Sequence, residues 1–215
     1  MASFVFGAVL IIAPVSVRNL AVAGDFVLIA SQGGINLYIG NNPSADGVSA
    51  VLPEPLGHNW QMRDITYQAE QEAGRRLKPS EVSAFWTQKA VNWITAHPWD
   101  FIRLYAKKLY HSISNREISN NRGLAWFFHQ VPILRFNPLS FGILFAFAVA
   151  GVVMGFRRFR LVRLLLLLIV AYTLLAALFF FNSRFRLPLL PYYFVLSAFG
   201  LVALIQFVRS KQKVG

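Results

Sequence analysis

The fold of this chain is constrained most by three long runs without a charged side chain, 139–156, 164–181 and 187–208. Each run holds 18 or more residues, which is enough for one α-helix to cross the hydrocarbon core of a bilayer. A fourth apolar run, 3–17, is shorter, and we predict that it is a further transmembrane helix. Hydrophobic residues make up 56% of the chain and charged residues only 14%, so the chain is too apolar for an ordinary soluble domain. The predicted fold class is therefore an all-α polytopic membrane protein with about four transmembrane helices and a mainly helical extracytoplasmic loop subdomain.

The first apolar run has a second interpretation as a secretory signal peptide. The sequence Ala21-Val22-Ala23 resembles a cleavage site, which such a peptide requires. Against this, no positive charge precedes the run, and Arg18 stands where a signal peptide avoids charge. We therefore favour a transmembrane helix that enters from the cytoplasm.

Charge placement indicates how these helices are oriented. All nine acidic residues lie between positions 25 and 117, whereas the loop 157–163 and the tail 209–215 carry seven basic residues and no acid. Short basic segments without acids mark the cytoplasmic side of a membrane. We therefore expect residues 18–138 to face the outside of the membrane. The predicted segments are a transmembrane helix at 1–17, an extracytoplasmic subdomain at 18–138, transmembrane helices at 139–156, 164–181 and 187–208, a cytoplasmic loop at 157–163, an external hairpin at 182–186 and a cytoplasmic tail at 209–215.

The net charge of +12 is explained by this orientation and by attraction to anionic lipids. Nucleic acid is not an expected partner, because the basic residues are divided between the two sides of the predicted membrane. The chain has no cysteine, which excludes disulfides and thiolate metal sites. The lipid bilayer is the first partner that the composition predicts.

Within the subdomain we predict three amphipathic helices, at 60–77, from Ser80 onward and from Pro98 onward. Ser80 is a suitable N-cap for the second of these helices, with Glu81 in its first turn. The third helix is expected to bury Phe101, Ile102, Tyr105, Leu109 and Ile113.

The stretch 33–47 precedes these helices and is rich in glycine and asparagine. Its apolar residues Ile35, Leu37 and Ile39 alternate with polar ones, which predicts a short strand between two turns. One interpretation is a simple connector. The other is a wall of a substrate site made of backbone and amide groups.

The hairpin between the last two apolar runs contains two arginines, Arg184 and Arg186. They are the hairpin's only charges, and they lie on the side of the membrane where positive charge is disfavoured. Two guanidinium groups at a membrane surface are suited to bind a phosphate through bidentate hydrogen bonds. The alternative is that both side chains only reach for lipid headgroups.

Other catalytic signatures are missing from the sequence, including the nucleophile elbow, the zinc-protease helix and the phosphate-binding loop. The four histidines are too scattered for a helical metal pair, and we expect each to be solvated or interfacial. Gly151 and Gly155 form a GxxxG pattern inside the second predicted span. We interpret this pattern as a helix-packing surface rather than a chemical site.

Three motifs in order, GGINLYIGNNP at 33–43, EISNN at 117–121 and RFRLPLLP at 184–191, carry a resemblance to a known family. Together they resemble the C-terminal portion of bacterial GT-C membrane glycosyltransferases. These belong to the dolichyl-phosphate-mannose protein mannosyltransferase-like superfamily, which includes the aminoarabinose transferases of lipid A. The resemblance covers most of the chain.

This resemblance implies transfer of a sugar from a polyisoprenyl-phosphate donor to a lipid, glycan or protein acceptor at the outer face of the membrane. Arg184 and Arg186 would then hold the donor phosphate. No cofactor is implied with certainty, and a divalent metal stays open. The residues implied to line the cavity are Asn36, Tyr38, Gly40, Asn41, Asn42, Glu117, Asn120 and Asn121.

The sequence also departs from the family pattern. Family members place a catalytic carboxylate in the first external loop, after the first of many spans, whereas this chain starts with what looks like a late span. Asp25 lies just outside that span and could imitate such a base, although it is not at the family's catalytic position. We therefore expect the C-terminal part of a larger enzyme, inactive alone, with its base in a missing N-terminal part. The alternative is a non-catalytic membrane subunit whose extracytoplasmic helical domain binds a partner.

Overall fold

The computed structural model of the chain describes residues 2–118, 124–133 and 140–212. These residues form helices and contain no β-strand, which confirms the predicted all-α class. The contacts divide the chain into two compact units, Met1–Leu104 and Tyr105–Gly215. The α-helices are α1 Ala2–Ala23, α2 Gly33–Gly40, α3 Met62–Ala73, α4 Pro79–Ala96, α5 Pro98–Ile113, α6 Leu124–Gln130, α7 Phe141–Gly155, α8 Arg160–Ala176 and α9 Leu190–Gln212, with a 3-10 helix at Ser183–Leu189 before α9.

Two helical segments among the described residues are long and apolar enough to cross a membrane, Ser3–Ala23 and Ser183–Gln212. Both leave large apolar side chains exposed, as Ile11 with 78% of its surface accessible illustrates. Helix α7 is also apolar but has only 15 residues, so it is about 22 Å long against a hydrocarbon core of about 30 Å. The two long segments support association with a membrane.

The helix boundaries differ from the charge-free runs of the sequence. Helix α1 continues through Arg18 to Ala23, and α8 begins at Arg160 and ends at Ala176. Arginine is a good helix former, so a charged residue ends an apolar run without ending the helix. The last apolar run starts as a 3-10 helix, and α9 begins only at Leu190.

The predicted strand within 33–47 is wrong, because its residues lie in helix α2, Gly33–Gly40. The residues buried in α2 include Ile35, Tyr38 and Ile39, which have the i, i+3, i+4 spacing of a helix face. Gly34 makes this packing possible, since a Cβ there would overlap the backbone carbonyl of Ser83 in α4. The Gly34 N–H also donates to Ser83 Oγ at 3.1 Å.

The three predicted subdomain helices are confirmed as α3, α4 and α5. Trp86 of α4 lies at the centre of the first unit with 2% of its surface exposed. Its ring centroid is 5.1 Å from that of Tyr38 in α2, and its indole N–H donates to the Ile65 carbonyl in α3 at 3.3 Å. This one side chain therefore joins three helices.

Two details of the predicted helices are wrong. The N-cap of α4 is Lys78 rather than Ser80, because Pro79 takes the first helical position and the Glu81 carboxylate accepts the Lys78 N–H at 2.8 Å. In α5, Ile102 and Ile113 are exposed, and the buried positions include Lys108 and Ser112. A polar side chain with a backbone or buried partner can occupy a buried helix face, which an apolar periodicity does not reveal.

The predicted packing role of the GxxxG pattern is confirmed in the second unit. Helices α7 and α9 touch backbone to backbone, so that a Cβ on Gly151 would overlap the Leu196 carbonyl oxygen and one on Gly200 would overlap the Phe147 carbonyl oxygen. Ser197 adds a hydrogen bond from its Oγ to the Leu144 carbonyl at 2.6 Å. Small residues on both helices allow this close approach.

We expect Gly151→Ala to destabilise the protein by about 1–3 kcal/mol, the usual cost of forcing extra volume into a packed core. The matched control is Gly7→Ala in α1, where an added methyl group meets nothing within 4 Å. Thermal unfolding of both variants in detergent micelles measures the effect. Equal midpoints for the two variants would contradict the close contact of α7 with α9.

Candidate anion site at the arginine hairpin

The arginine hairpin is held in place by its own backbone and by the segment that follows α5. The Asn182 side chain is buried and accepts the Arg184 N–H at 3.2 Å, which starts the 3-10 helix Ser183–Leu189. Two further hydrogen bonds link Ser183 to Ile118, one from N–H to carbonyl at 3.0 Å and one from the Ile118 N–H to Ser183 Oγ at 2.7 Å. Both arginines therefore project from a fixed turn.

Arg186 is buried, with 4% of its surface exposed. Its guanidinium donates to the carbonyls of His111 at 2.6 Å and Ser114 at 2.8 Å, and it pairs with Glu117 Oε1 at 3.2 Å. It also lies 4.2 Å from the ring centroid of Phe141, a cation–π distance. A positive charge on the last carbonyls of α5 is favourable because they carry the negative end of the helix dipole.

A cavity of about 220 Å³ adjoins this arginine. Its polar lining is provided by Glu117, Ser140, Ser183 and Arg186, and the remaining walls are Phe and Leu side chains from α7, the hairpin and α9. Arg186 Nε is buried and has no hydrogen-bond partner among the described residues. The cavity thus combines donor groups with hydrocarbon walls, which suits a small anion attached to an apolar chain.

Arg184 has a different environment from Arg186. It is exposed, and its guanidinium carbon lies 5.7 Å from the ring centroid of the neighbouring Phe185. None of the ion pairs formed by the described residues includes Arg184. The structure therefore separates an accessible guanidinium from one that is already bonded to protein.

Of the three residues predicted at the second motif, Glu117 is brought next to Arg186, and its side chain stays 40% exposed. Asn120 and Asn121 lie outside the described residues. Glu117 occupies one donor of the guanidinium with a negative charge. An anionic ligand would compete with this carboxylate for the same donor.

The residues predicted to form the amide-rich wall lie in the first unit and support its backbone. Asn42 is 1% exposed, and its side-chain amide donates to the carbonyls of Tyr38 at 2.9 Å and Val51 at 2.9 Å. Asn41 is fully buried and donates to the Leu37 carbonyl at 2.8 Å. Gly40 and Tyr38 are buried and Asn36 is half-buried. We predicted that these residues line one cavity together with the arginines, and this stays a prediction.

Asp25 is a helix cap rather than an accessible base. It is 5% exposed, and its carboxylate accepts hydrogen bonds from both the Oγ and the N–H of Ser80, the N–H at 2.7 Å. These bonds hold the pKa of Asp25 below its ordinary value of 3.8. A carboxylate stabilised in its charged form is a weak proton acceptor.

Most of the other acidic residues also form hydrogen bonds or ion pairs within the protein. All nine belong to the described residues, and all except Glu54 have an ion pair or hydrogen bond to a neighbouring group. The eight engaged residues are Asp25, Asp46, Asp64, Glu70, Glu72, Glu81, Asp100 and Glu117.

Lys108 is a buried residue that the sequence patterns did not identify. It is fully inaccessible in the second half of α5, and burial lowers its pKa to about 7. A lysine amid apolar residues at helical spacing gives no sequence signal of burial, since the same residue usually marks a solvated face.

No metal-binding group of three or more His, Asp or Glu side chains occurs in the part of the chain that the structure describes. His58, His97 and His129 are exposed, and His111 is half-buried. Comparison of the chain with family models, curated proteins and solved structures finds no significant match. The site must therefore be interpreted from its own geometry.

We expect Asp25→Asn to lower the thermal stability of the protein at neutral pH, because α4 loses a charged cap at its first turn. The contribution of Asp25 is present above pH 3.8 and is lost as pH falls through the lower pKa of the folded state. The difference between wild type and variant should therefore shrink in acid. Tryptophan fluorescence during heating, at several pH values, measures it.

The control is Asp100→Asn, which removes an exposed ion pair with Arg103. Such pairs contribute little to stability. An equal loss of stability in the two variants would contradict the capping role of Asp25.

We also expect stability to rise between pH 7 and the ordinary lysine pKa of 10.5, because unfolded Lys108 then binds more protons than the folded residue. Lys108→Met should remove this rise and should stabilise the protein most near pH 7. Denaturation curves at pH 7 and pH 9 measure the change. An unaltered pH dependence in the variant would show that Lys108 stays charged when folded.

Proposed function

We propose that this chain is the C-terminal part of a membrane glycosyltransferase of the GT-C type. In this proposal it binds a polyisoprenyl-phosphate-linked sugar, whose sugar is transferred to a lipid, glycan or protein acceptor at the outer face of a bacterial inner membrane. The observation that carries the proposal is the cavity beside Arg186, with Arg184 accessible on the same hairpin. A lipid phosphate requires strong hydrogen-bond donors directly beside hydrocarbon, and this cavity has both.

A four-span arrangement of α1, α7, α8 and α9 is part of the proposal. Its support is the apolar exposure of the shorter helices: Val153 of α7 is 75% exposed, and Leu167 and Leu175 of α8 are each 63% exposed. Extended apolar surfaces of this kind are rare on soluble proteins. The basic residues of the loop 157–163 and of the C-terminal end of α9 would then lie in the cytoplasm.

In this arrangement the chain contributes anion binding rather than the base. Arginine donors would stabilise the phosphate that leaves when the acceptor attacks the sugar. The base that deprotonates the acceptor is expected in another part of the enzyme, as the resemblance implies; in this chain Asp25 caps α4 and Glu117 pairs with Arg186. In the proposal both arginines act on the phosphate, with Arg186 lining the cavity and Arg184 providing an accessible guanidinium on the same hairpin.

We expect Arg184→Gln to weaken binding of undecaprenyl phosphate about tenfold, which corresponds to one charge-assisted contact of about 1.4 kcal/mol. The protein is reconstituted in lipid nanodiscs, and binding is titrated by native mass spectrometry. Arg103→Gln is the control, since its side chain is 83% exposed in an ion pair on α5. Equal affinity of wild type and Arg184→Gln would overturn the role of Arg184.

A non-catalytic membrane subunit is the second candidate function. Arg186 is already bonded to several protein groups. An arginine with a purely structural role would have such partners, and this favours the second function. In that case Arg184 would only contact lipid headgroups. Failure of the wild-type protein to bind undecaprenyl phosphate would favour this second function.

A further inference from the structure

The segment that follows α1 turns back along the helix it has just left. Ser16 Oγ donates to the Leu28 carbonyl at 2.6 Å, and the Asn19 side-chain amide donates to the carbonyls of Val27 at 3.0 Å and Ile29 at 3.4 Å. Ser16 precedes the end of α1 at Ala23 by seven residues, or about 10 Å of helix. Leu28 therefore lies beside the body of the helix rather than beyond its end.

Four of the six carbonyls of this returning segment, 24–29, accept hydrogen bonds, from α1 on one side and from Lys78 on the other. Three successive carbonyls, those of Val27, Leu28 and Ile29, accept hydrogen bonds from α1. The Gly24 carbonyl accepts one from Lys78 Nζ at 2.8 Å. Irregular backbone lies at membrane depth only where protein or water satisfies its polar groups. Ser16 and Asn19, two of the few polar residues of an apolar helix, satisfy three of these carbonyls.

Three apolar side chains of the segment are exposed. Phe26 is 65% exposed, Leu28 57% and Ile29 58%, and α1 beside them exposes Val17 at 65%. The groove between α1 and the segment has a volume of about 460 Å³ and is lined almost entirely by apolar residues. In water this surface would be unfavourable at about 25 cal/mol for each Å² exposed.

We propose that the returning segment is embedded in the lipid bilayer together with the end of α1, and that lipid acyl chains fill its groove. The bonded carbonyls lower the cost of placing irregular backbone in the interfacial layer, where headgroups and water would reach the remaining N–H groups, and the exposed aromatic and aliphatic side chains favour it. Arg18 lies at the same level of α1 and is exposed. Its guanidinium donates to Asn19 Oδ1 at 3.3 Å, and a charged group here would set the depth of the segment at the boundary between headgroups and acyl chains.

This surface extends the protein's contact with membrane beyond its helices and does not depend on the proposed transferase function. Asp25 leaves the segment toward Ser80 of α4 and fixes its other end. The segment would therefore hold α4 close to the lipid surface.

The experiment uses the absence of cysteine in the chain, which allows single spin labels without background. Leu28→Cys is labelled with a nitroxide in vesicles of phosphatidylethanolamine and phosphatidylglycerol. Ile11→Cys in the middle of α1 is the hydrocarbon reference, and Gln71→Cys, exposed on α3, is the water reference. Accessibility to oxygen and to a water-soluble nickel chelate is then measured by electron paramagnetic resonance.

We expect the Leu28 label to fall between the two references, with more oxygen and less nickel accessibility than the Gln71 label. A Leu28 label that resembles the Gln71 label would overturn the proposal, and so would an Ile11 label that reports water. Shielding of the Leu28 label from both reagents would mean that protein covers the segment, which also overturns lipid contact. Adding Asn19→Leu and Ser16→Ala should raise nickel accessibility at position 28, because the segment loses its bonds to α1.

Discussion

The buried Arg186 guanidinium needs partners within the protein, and its surroundings organise much of the second unit. A buried charge requires both hydrogen bonds and an opposite charge. Arg186 obtains them from the last carbonyls of α5 and from Glu117, while Phe141 of α7 covers its face. Three parts of the chain that are distant in sequence thus converge on one side chain. The same demand for internal partners explains the buried Asn42 in the first unit.

Helix locations followed from the sequence where local periodicity decides them, as for α3, α4 and the glycine-lined α7. Prediction failed where the same residues fit both the alternation of a strand and the spacing of a helix. Alternation of Ile35, Leu37 and Ile39 suggested a strand, but the contact of Gly34 with Ser83 of α4 stabilises a helix. Gly34 and Ser83 are nearly fifty residues apart, so no local sequence pattern indicates their contact. Only the folded chain reveals it.

The candidate site was predictable in composition but not in geometry. Sequence singled out both arginines because positive charge is unexpected on the outer side of a membrane. It could not distinguish Arg186 from Arg184, because burial depends on which residue of the turn faces the end of α5. The capping of α4 by Asp25 was equally hidden, since it joins residues 55 positions apart.

The contact of α7 with α9 has a consequence for how the two helices tolerate mutation together. The obstacles to side chains at Gly151 and Gly200 are backbone atoms, so no second substitution on the opposing helix can make room for them. Gly155 differs, because a Cβ there would lie 2.7 Å from the ring of Phe199 and 2.9 Å from a methyl group of Val162. Smaller side chains at Phe199 and Val162 would create space. A second mutation can therefore compensate for a larger residue at Gly155, but not for one at Gly151 or Gly200.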